Sequence, residues 1–91
     1  MLSEVYCIVS GKVQAVGYRD FGVRFAKEYE ITGFVRNKKE GTVEILAQGM
    51  PDRLKEFVEL LNQGSVLAKV DSVGAEGRKP EKELDDFEAR F

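Results

Sequence analysis

The stretch that decides the fold is residues 34–61, FVRNKKEGTVEILAQGMPDRLKEFVELL. Its first half has two runs, 34–37 and 42–48, separated by a short polar loop with Gly41 near its end. Two such runs joined by a short glycine-containing loop predict a β-hairpin. The second run alternates, and its side chains are expected to divide between core and solvent: Val43, Ile45 and Ala47 inward, and Thr42, Glu44 and Gln48 outward.

The second half of this stretch predicts a helix. Pro51 suits the first turn of a helix, where its missing N–H group costs nothing. Gly64 is expected just past the end of the helix, at C′. Between them, apolar residues follow the i, i+3, i+4, i+7 spacing of a buried helical face, at Leu54, Phe57, Val58 and Leu61.

Another strand and helix precede the hairpin. Residues 4–10 are apolar on much of both faces, which predicts a strand inside a sheet. After a loop at 11–19, the pattern is that of an amphipathic helix with Gly33 at its end and a turn into the hairpin. The aromatic residues of this helix recur at every fourth position, at Phe21, Phe25 and Tyr29.

The C-terminal third of the chain predicts two more strands. Residues 69–76 form the first of them, and residues 77–83, which include Pro80, form a polar loop. Residues 84–91 form a terminal strand with one apolar face, made by Phe87, Ala89 and Phe91.

The order of these elements predicts the fold class. It is an α+β fold, a ferredoxin-like sandwich (βαββαβ plus a short C-terminal strand), with two helices on one face of a mainly antiparallel sheet. No repeat, linker or low-complexity tract divides the chain, so residues 1–91 are expected to form a single domain. This fold serves enzymes, RNA binders and ligand-binding modules, so the function has to be inferred from the residues of a site.

The composition excludes several kinds of site. Among 91 residues there is no histidine and one cysteine, Cys7. Sites of the Ser-His-Asp and Cys-His types, zinc sites built on histidine or on four cysteines, and an internal disulfide are therefore excluded. Cys7 is expected to be a small core residue and not a nucleophile, and no cofactor is expected.

The charge and the hydropathy indicate whether a nucleic acid or a membrane is expected as a partner. With 14 basic and 16 acidic side chains the net charge is −2, which argues against a nucleic-acid partner. The first residues lack a basic segment followed by an apolar one, and no apolar run approaches about 18 residues, so no membrane partner is expected. A cytoplasmic location and a monomer are expected, with an edge at the terminal strand that could pair with a neighbour.

The clearest functional signal is the loop at residues 11–19, GKVQAVGYR. It joins a strand to a helix N-terminus, where unpaired N–H groups and the helix dipole attract anions, and it ends in an arginine that can bind an anion through two N–H groups. These features predict a phosphate cradle. The alternative is a tight turn that needs Gly11 and Gly17 only for backbone freedom.

Two common phosphate loops do not fit this spacing. A Walker loop beginning at Gly11 would need its second glycine at Val16 and its lysine at Gly17. A cysteine-dependent phosphatase loop beginning at Cys7 would need an arginine at Val13.

Together, several segments resemble the acylphosphatase family, small cytoplasmic enzymes that hydrolyse carboxyl-phosphate mixed anhydrides. The segments are GKVQAVGYR at 11–19, GFVRN at 33–37, GTVE at 41–44, AQG at 47–49 and FEARF at 87–91. They cover the whole chain in the right order and with natural spacing.

The resemblance implies an activity and a set of roles. It implies hydrolysis of acyl phosphates to a carboxylate and inorganic phosphate, with no metal or cofactor and with inorganic phosphate as product or inhibitor. It implies that Arg19 binds the substrate phosphate and that Asn37 positions a water for in-line attack. It also implies a phosphate cradle made by the backbone of six residues: Gln14, Ala15, Val16, Gly17, Tyr18 and Arg19.

The departing carboxylate is a weak base that leaves without being protonated, so this chemistry is compatible with a chain that has no histidine.

For three residues, Ala15, Thr42 and Asp20, the sequence allows more than one role. Ala15 occupies a position where the family usually has glycine, so a left-handed backbone there would leave the cradle strained or differently shaped. Thr42 lies near Asn37 across the hairpin and is a candidate to hydrogen-bond it or the phosphate. Asp20 is expected to cap the helix or else to compete with bound phosphate.

The alternative to an enzyme is a non-catalytic phosphate- or anion-binding module of the same fold, and an RNA-binding module is disfavoured by the acidic charge.

Overall fold

Residues 2–90, which the computed structural model describes, follow the predicted order of strands and helices. The elements are β1 (Ser3–Lys12), α1 (Tyr18–Glu28), β2 (Thr32–Asn37), β3 (Val43–Gly49), α2 (Pro51–Gln63), β4 (Lys69–Arg78) and β5 (Phe87–Arg90). Phe91, which the sequence assigns to the terminal strand, and Met1 lie outside the described residues. Within the described range, no helix combines the length and the apolar character needed to cross a membrane.

The strands form one sheet in the order β4-β1-β3-β2-β5. Neighbouring strands are antiparallel, except that β2 and β5 run parallel. β1 pairs with β3 on one side and β4 on the other, which confirms the prediction of an interior strand. α1 packs against β2 and β5, and α2 packs against β1, β3 and β4. The predicted α+β sandwich is therefore confirmed.

The hydrophobic core lies between the sheet and the two helices. The predicted inward face of β3 is fully buried there, and Leu61 and Phe57 of α2 are fully buried with it. The ring of Phe57 meets that of Phe87 edge to face, with 5.9 Å between centroids. The fully buried apolar side chains that the sheet contributes to this core are Cys7, Val9, Val35, Val43, Ile45, Ala47 and Phe87.

The first helix differs from its prediction in its start and in its buried face. It begins at Tyr18, before the predicted Phe21, and the residues it buries are Tyr18, Gly22 and Ala26. The predicted aromatic face is only half-buried. Both stripes have the same four-residue spacing, so periodicity alone cannot choose between them.

The sequence predicts that Gly33 ends the first helix, but this residue lies within β2. The helix ends at Glu28, and Glu30 takes a left-handed conformation with φ 59° in the connection that follows. Gly33 has φ 139°, and a Cβ atom there would lie 1.8 Å from the carbonyl oxygen of Leu46 on β3. The glycine is therefore required by the close approach of two strands and not by a turn.

The outer face of β3 is covered at Glu44 and Gln48, contrary to the prediction that both face solvent. Both residues are buried, Glu44 to 7% exposure and Gln48 to 0%. Glu44 accepts hydrogen bonds from the Tyr6 hydroxyl and the Arg36 guanidinium. The loop after β4 lies over Gln48, whose amide nitrogen donates to the carbonyl oxygen of Lys82 at 2.6 Å. The alternating pattern of β3 identifies two faces, but it cannot show that the outer face is covered by distant segments.

The last two strands are shifted from their predicted bounds. β4 continues to Arg78 and β5 begins at Phe87, so the predicted loop at 77–83 is replaced by one at 79–86. Two hydrogen bonds to Asp86 hold the start of β5. Its carboxylate accepts from the backbone N–H of Phe87 at 2.8 Å, and its carbonyl oxygen accepts from the backbone N–H of Gly33 at 2.8 Å.

Candidate active site

The loop between β1 and α1 forms a concave turn. β1 continues through Lys12, so Gly11 belongs to the strand, where it pairs with Val70, and the loop itself is residues 13–17. Ala15 and Gly17 have left-handed backbones, with φ 57° and φ 76°, whereas Val16 between them does not. Alternation of this kind turns successive N–H groups toward one side and makes a concavity suited to an anion.

Ala15 keeps the backbone conformation that a glycine would adopt easily. An L-residue with a Cβ atom pays about 1–2 kcal/mol for a left-handed conformation. The loop therefore has the left-handed turn at this position and is strained there, which is one of the two outcomes expected from the sequence.

The first helix begins directly after this turn. Gly17 is its N-cap, and the Gly17 carbonyl accepts from the N–H of Phe21 at 3.0 Å. Among the described residues no side chain caps this helix, so the expected capping role of Asp20 is wrong. Asp20 lies in the first turn, where a carboxylate interacts favourably with the helix dipole. The first-turn N–H groups have no carbonyl acceptor within the helix, and they face the end of the loop.

Arg19 and Asn37 line the same small cavity. Its volume is about 130 Å³, and its lining residues are Val13, Ala15, Gly17, Tyr18, Arg19, Asp20 and Asn37. A water molecule takes up about 30 Å³, so the cavity has room for a phosphoryl group together with a water. Of the residues that the sequence assigns to the cradle, Gln14 and Val16 do not line it.

A distant strand holds the side chain of Arg19. The guanidinium Nη1 donates to the carbonyl oxygen of Arg90 in β5 at 3.2 Å. The two residues are far apart in sequence, and β5 reaches Arg19 because it pairs in parallel with β2 at the edge of the sheet. No local signal in the sequence predicts this contact.

Asn37 lines the cavity and has an unpartnered side-chain oxygen. It is the last residue of β2, where it pairs with Val43 of β3. Its side-chain oxygen Oδ1 is buried and has no hydrogen-bond partner among the described residues. Buried polar atoms are nearly always bonded in native proteins, so this exception makes Asn37 a candidate to bind a ligand or a water.

Gln14 connects the loop to the hairpin that carries Asn37. Its amide nitrogen Nε2 donates to the carbonyl oxygens of Lys38, at 2.7 Å, and of Thr42, at 2.9 Å. The N–H of Lys38 donates to the same Thr42 carbonyl at 2.9 Å, which closes the hairpin. The sequence suggested only a backbone role for Gln14, because its partners lie on a different part of the chain.

The hydroxyl of Thr42 points to a different partner from the one expected. It donates to the carboxylate of Glu40 at 3.2 Å, and not to Asn37. Glu40 also lies 3.6 Å from the ammonium of Lys38. Its backbone hydrogen bond, followed by the charge of Lys38 and the bond from Thr42, lowers the pKa of the Glu40 carboxyl. Thr42 is joined to the loop through its carbonyl, which accepts from Gln14.

Two further ionisable side chains are buried beside the site and stay neutral. The hydroxyl of Tyr18 donates to the carbonyl oxygen of Leu61 at 2.8 Å and thereby ties the start of α1 to α2. Burial raises the pKa of Tyr18, and it raises the pKa of Cys7 to about 11. Cys7 is fully buried and remains a thiol at neutral pH, in agreement with its expected place in the core.

Comparisons with known proteins agree on one family. The acylphosphatase family model matches residues 5–89. An acylphosphatase of Bacillus licheniformis is 44% identical over 81 residues, which cover 89% of this chain and 87% of that protein. The crystal structure of an acylphosphatase from Bacillus subtilis superposes with a TM-score of 0.95 at 34% identity and covers 100% of both chains. An acylphosphatase structure from Coxiella burnetii superposes with a TM-score of 0.93 at 34% identity, covering 98% of this chain and 93% of the other.

Proposed function

The chain belongs to the acylphosphatase family and hydrolyses acyl phosphates, and we propose that Arg19 with the loop backbone binds the phosphoryl group while Asn37 holds the attacking water. One observation carries this assignment. The buried and unpartnered oxygen of Asn37 belongs to a residue that lines the same cavity as Arg19.

The phosphoryl group is bound by the loop and by Arg19. The backbone N–H groups of the cradle residues that line the cavity, Ala15, Gly17, Tyr18 and Arg19, bind its oxygens together with the positive end of the helix dipole. The guanidinium of Arg19 has five N–H donors in a planar fork, so its bond to the Arg90 carbonyl is compatible with binding two phosphate oxygens.

The attacking water is held by Asn37. Its Oδ1 accepts a hydrogen bond from the water, which orients a lone pair of the water oxygen toward phosphorus. An amide is uncharged at every working pH, so it can hold a water next to an anionic substrate without repelling it. Gln14 fixes the distance between the water and the phosphoryl group, because it joins the loop to the hairpin.

The reaction is an in-line displacement at phosphorus. The water oxygen forms a bond to phosphorus while the bond from phosphorus to the carboxyl oxygen breaks, and the electron pair of that bond leaves with the carboxylate. A dianionic acyl phosphate and water give a carboxylate and dihydrogen phosphate, so both protons of the water end on the phosphate. No side chain has to act as an acid, since the leaving carboxylate is a weak base. Catalysis rests on positioning and on stabilising the charge of the equatorial oxygens.

The activity is tested with a panel of phosphate compounds. We expect the purified protein to hydrolyse benzoyl phosphate and acetyl phosphate in the presence of a metal chelator, and to leave nitrophenyl phosphate, a monoester with a poorer leaving group, nearly untouched. Binding of inorganic phosphate without hydrolysis of either acyl phosphate would identify a non-catalytic anion-binding module instead. Loss of activity on adding the chelator would contradict the metal-free reaction.

We further propose that the protein acts as a monomer in a reducing compartment such as the cytoplasm, with inorganic phosphate as a competitive product inhibitor. The buried free thiol of Cys7 is compatible with such a compartment. Light scattering on the purified protein tests the oligomeric state.

A further inference from the structure

An apolar groove adjoins the phosphate cavity. Its volume is about 430 Å³, and it shares Gly17 and Asp20 with the cavity. One wall is formed by α1, where the half-buried rings of Phe21 and Phe25 lie 4.9 Å apart. The other wall is the turn after α2, which contains Val66 and Leu67.

This turn exposes apolar side chains to an unusual degree. Val66 is fully exposed and Leu67 is 69% exposed, and within residues 2–90 the remaining large hydrophobic residue with comparable exposure is Met50. The turn is attached to the phosphate loop, because the hydroxyl of Ser65 donates to the Val16 carbonyl at 3.3 Å. Two apolar side chains are thus held at the mouth of the groove, where their burial by a ligand would be favourable.

The position of the groove fits the direction of the reaction. In an in-line displacement the leaving group departs on the side of phosphorus opposite to the attacking water. The groove meets the phosphate cavity at Gly17 and Asp20, and Asn37, which holds the water under the proposed function, does not line it. A leaving group that departs away from Asn37 therefore has this groove available to it.

We propose that the groove binds the acyl group of the substrate and that it favours large aromatic or aliphatic acyl groups over small ones. Phe21, Phe25, Val66 and Leu67 contact the acyl group. Asp20 and Arg24 also line the groove, one acidic and one basic, so the lining charges alone set no preference for or against an anionic acyl group. The inference rests on the proposed function, because the acyl group reaches this groove only if the phosphoryl group of the substrate lies in the cavity beside Arg19.

The test compares an aromatic and a small acyl phosphate in matched variants. We expect the double change Val66→Ser with Leu67→Ser to lower kcat/KM for benzoyl phosphate about tenfold and to leave kcat/KM for acetyl phosphate within about twofold. Both side chains are exposed, so the fold should be retained. The control is Met50→Ser, because Met50 is also exposed and apolar but lies outside the groove. This change should leave both values of kcat/KM unchanged. The intrinsic reactivity of each substrate is the same in all variants, so a change in their ratio reports on the groove.

Binding of phosphonate analogues separates this inference from the proposed function. Calorimetry should show that benzoylphosphonate, whose carbon–phosphorus bond is not hydrolysed, binds about tenfold more weakly to the double variant, while inorganic phosphate binds equally well to both proteins. This result would support the groove even if the protein hydrolysed neither acyl phosphate. An unchanged benzoyl-to-acetyl ratio together with unchanged binding of benzoylphosphonate would overturn it. A dimer of the original protein that becomes a monomer in the double variant, again with an unchanged ratio, would assign the surface to a contact between two copies and would also overturn it.

Discussion

Gln48 and Asn37 are amide side chains on neighbouring strands, and they differ in whether their polar atoms are bonded. Gln48 of β3 is fully buried, and its amide group donates to Glu4 and Lys82 and accepts from the N–H of Leu84. Asn37 of β2 has a buried oxygen with no partner among the described residues. A satisfied buried amide holds a structure together, whereas an unsatisfied one at a cavity is available to a ligand.

The same contrast separates two regions of the molecule, the outer face of the sheet and the loop before α1. On the outer face of the sheet, the carboxylate of Glu44 is bonded by Tyr6 and Arg36, and the guanidinium of Arg78 lies 4.3 Å from the centre of the Tyr6 ring. At the loop before α1, the backbone takes a strained conformation at Ala15 and its concave side opens into a cavity. Changes on the outer face should therefore alter stability, and changes at the loop should alter catalysis.

The largest effect is expected from Arg19→Ala, at the loop. Removing one well-placed donor from a preorganised site typically lowers the rate by about 10²- to 10³-fold. We expect kcat/KM for benzoyl phosphate to fall by at least that factor and phosphate binding to be lost by calorimetry. Arg53→Ala, an exposed arginine on α2, is the control and should retain full activity. Retention of phosphate binding by Arg19→Ala would show that the loop backbone is sufficient.

The next largest effect is expected from Gln48→Ala, which should lower the stability of the fold and not the activity. The change leaves the N–H of Leu84 and the carbonyl of Lys82 without their partner and creates a cavity, at an expected cost of about 2–4 kcal/mol in the free energy of unfolding. Urea denaturation measures this loss. At a temperature where the variant is folded, kcat/KM should stay within about twofold. A large loss of activity in the folded variant would remove the contrast between the outer face and the loop.

A smaller effect on catalysis is expected from Gln14→Ala, which separates the loop from the hairpin. Without the two bonds to Lys38 and Thr42, the distance between bound phosphoryl group and water is less well fixed, and kcat should fall about tenfold. The dissociation constant of phosphate should change by less than about threefold, because Gln14 positions Asn37 and does not line the cavity. Gln63→Ala, at the exposed end of α2, is the matched control. An unchanged kcat, or equal losses in kcat and phosphate affinity, would be inconsistent with a positioning role.

The smallest effect is expected from Ala15→Gly. Glycine adopts φ 57° without strain, which gains about 1 kcal/mol, but it also increases the entropy of the unfolded chain by a comparable amount. The free energy of unfolding should therefore change by less than about 1 kcal/mol and kcat/KM by less than twofold. A tenfold change in activity would mean that the Cβ atom of Ala15 shapes the cavity.

The periodic part of the fold could be predicted from the sequence. The alternation of Val43, Ile45 and Ala47 and the helical spacing of Leu54, Phe57 and Leu61 depend on local geometry alone, and they give the order of elements and the inward faces correctly. The bounds were less predictable. Gly33 was assigned to a turn because glycine is common in turns, while the reason for it is the Leu46 carbonyl on the neighbouring strand.

Contacts between distant segments could not be predicted from local patterns. Gln48 and Glu44 were expected in solvent because the loop and side chains that cover them come from other parts of the chain. For the same reason the sequence did not indicate that Arg90 holds Arg19 or that Gln14 reaches the hairpin. The roles of Arg19 and Asn37 came from the resemblance to a family, and their place on one cavity is a property of the folded chain.

The most direct test of the proposed site is to measure turnover and phosphate binding together in Asn37→Ala. If Asn37 holds the water and Arg19 holds the phosphate, kcat for benzoyl phosphate should fall by at least about 10²-fold while the dissociation constant of inorganic phosphate stays within about threefold. Asn62→Ala, an exposed asparagine on α2, should behave like the unchanged protein. If Asn37→Ala loses phosphate binding as severely as Arg19→Ala does, or keeps its turnover, the division of roles between the two residues is wrong.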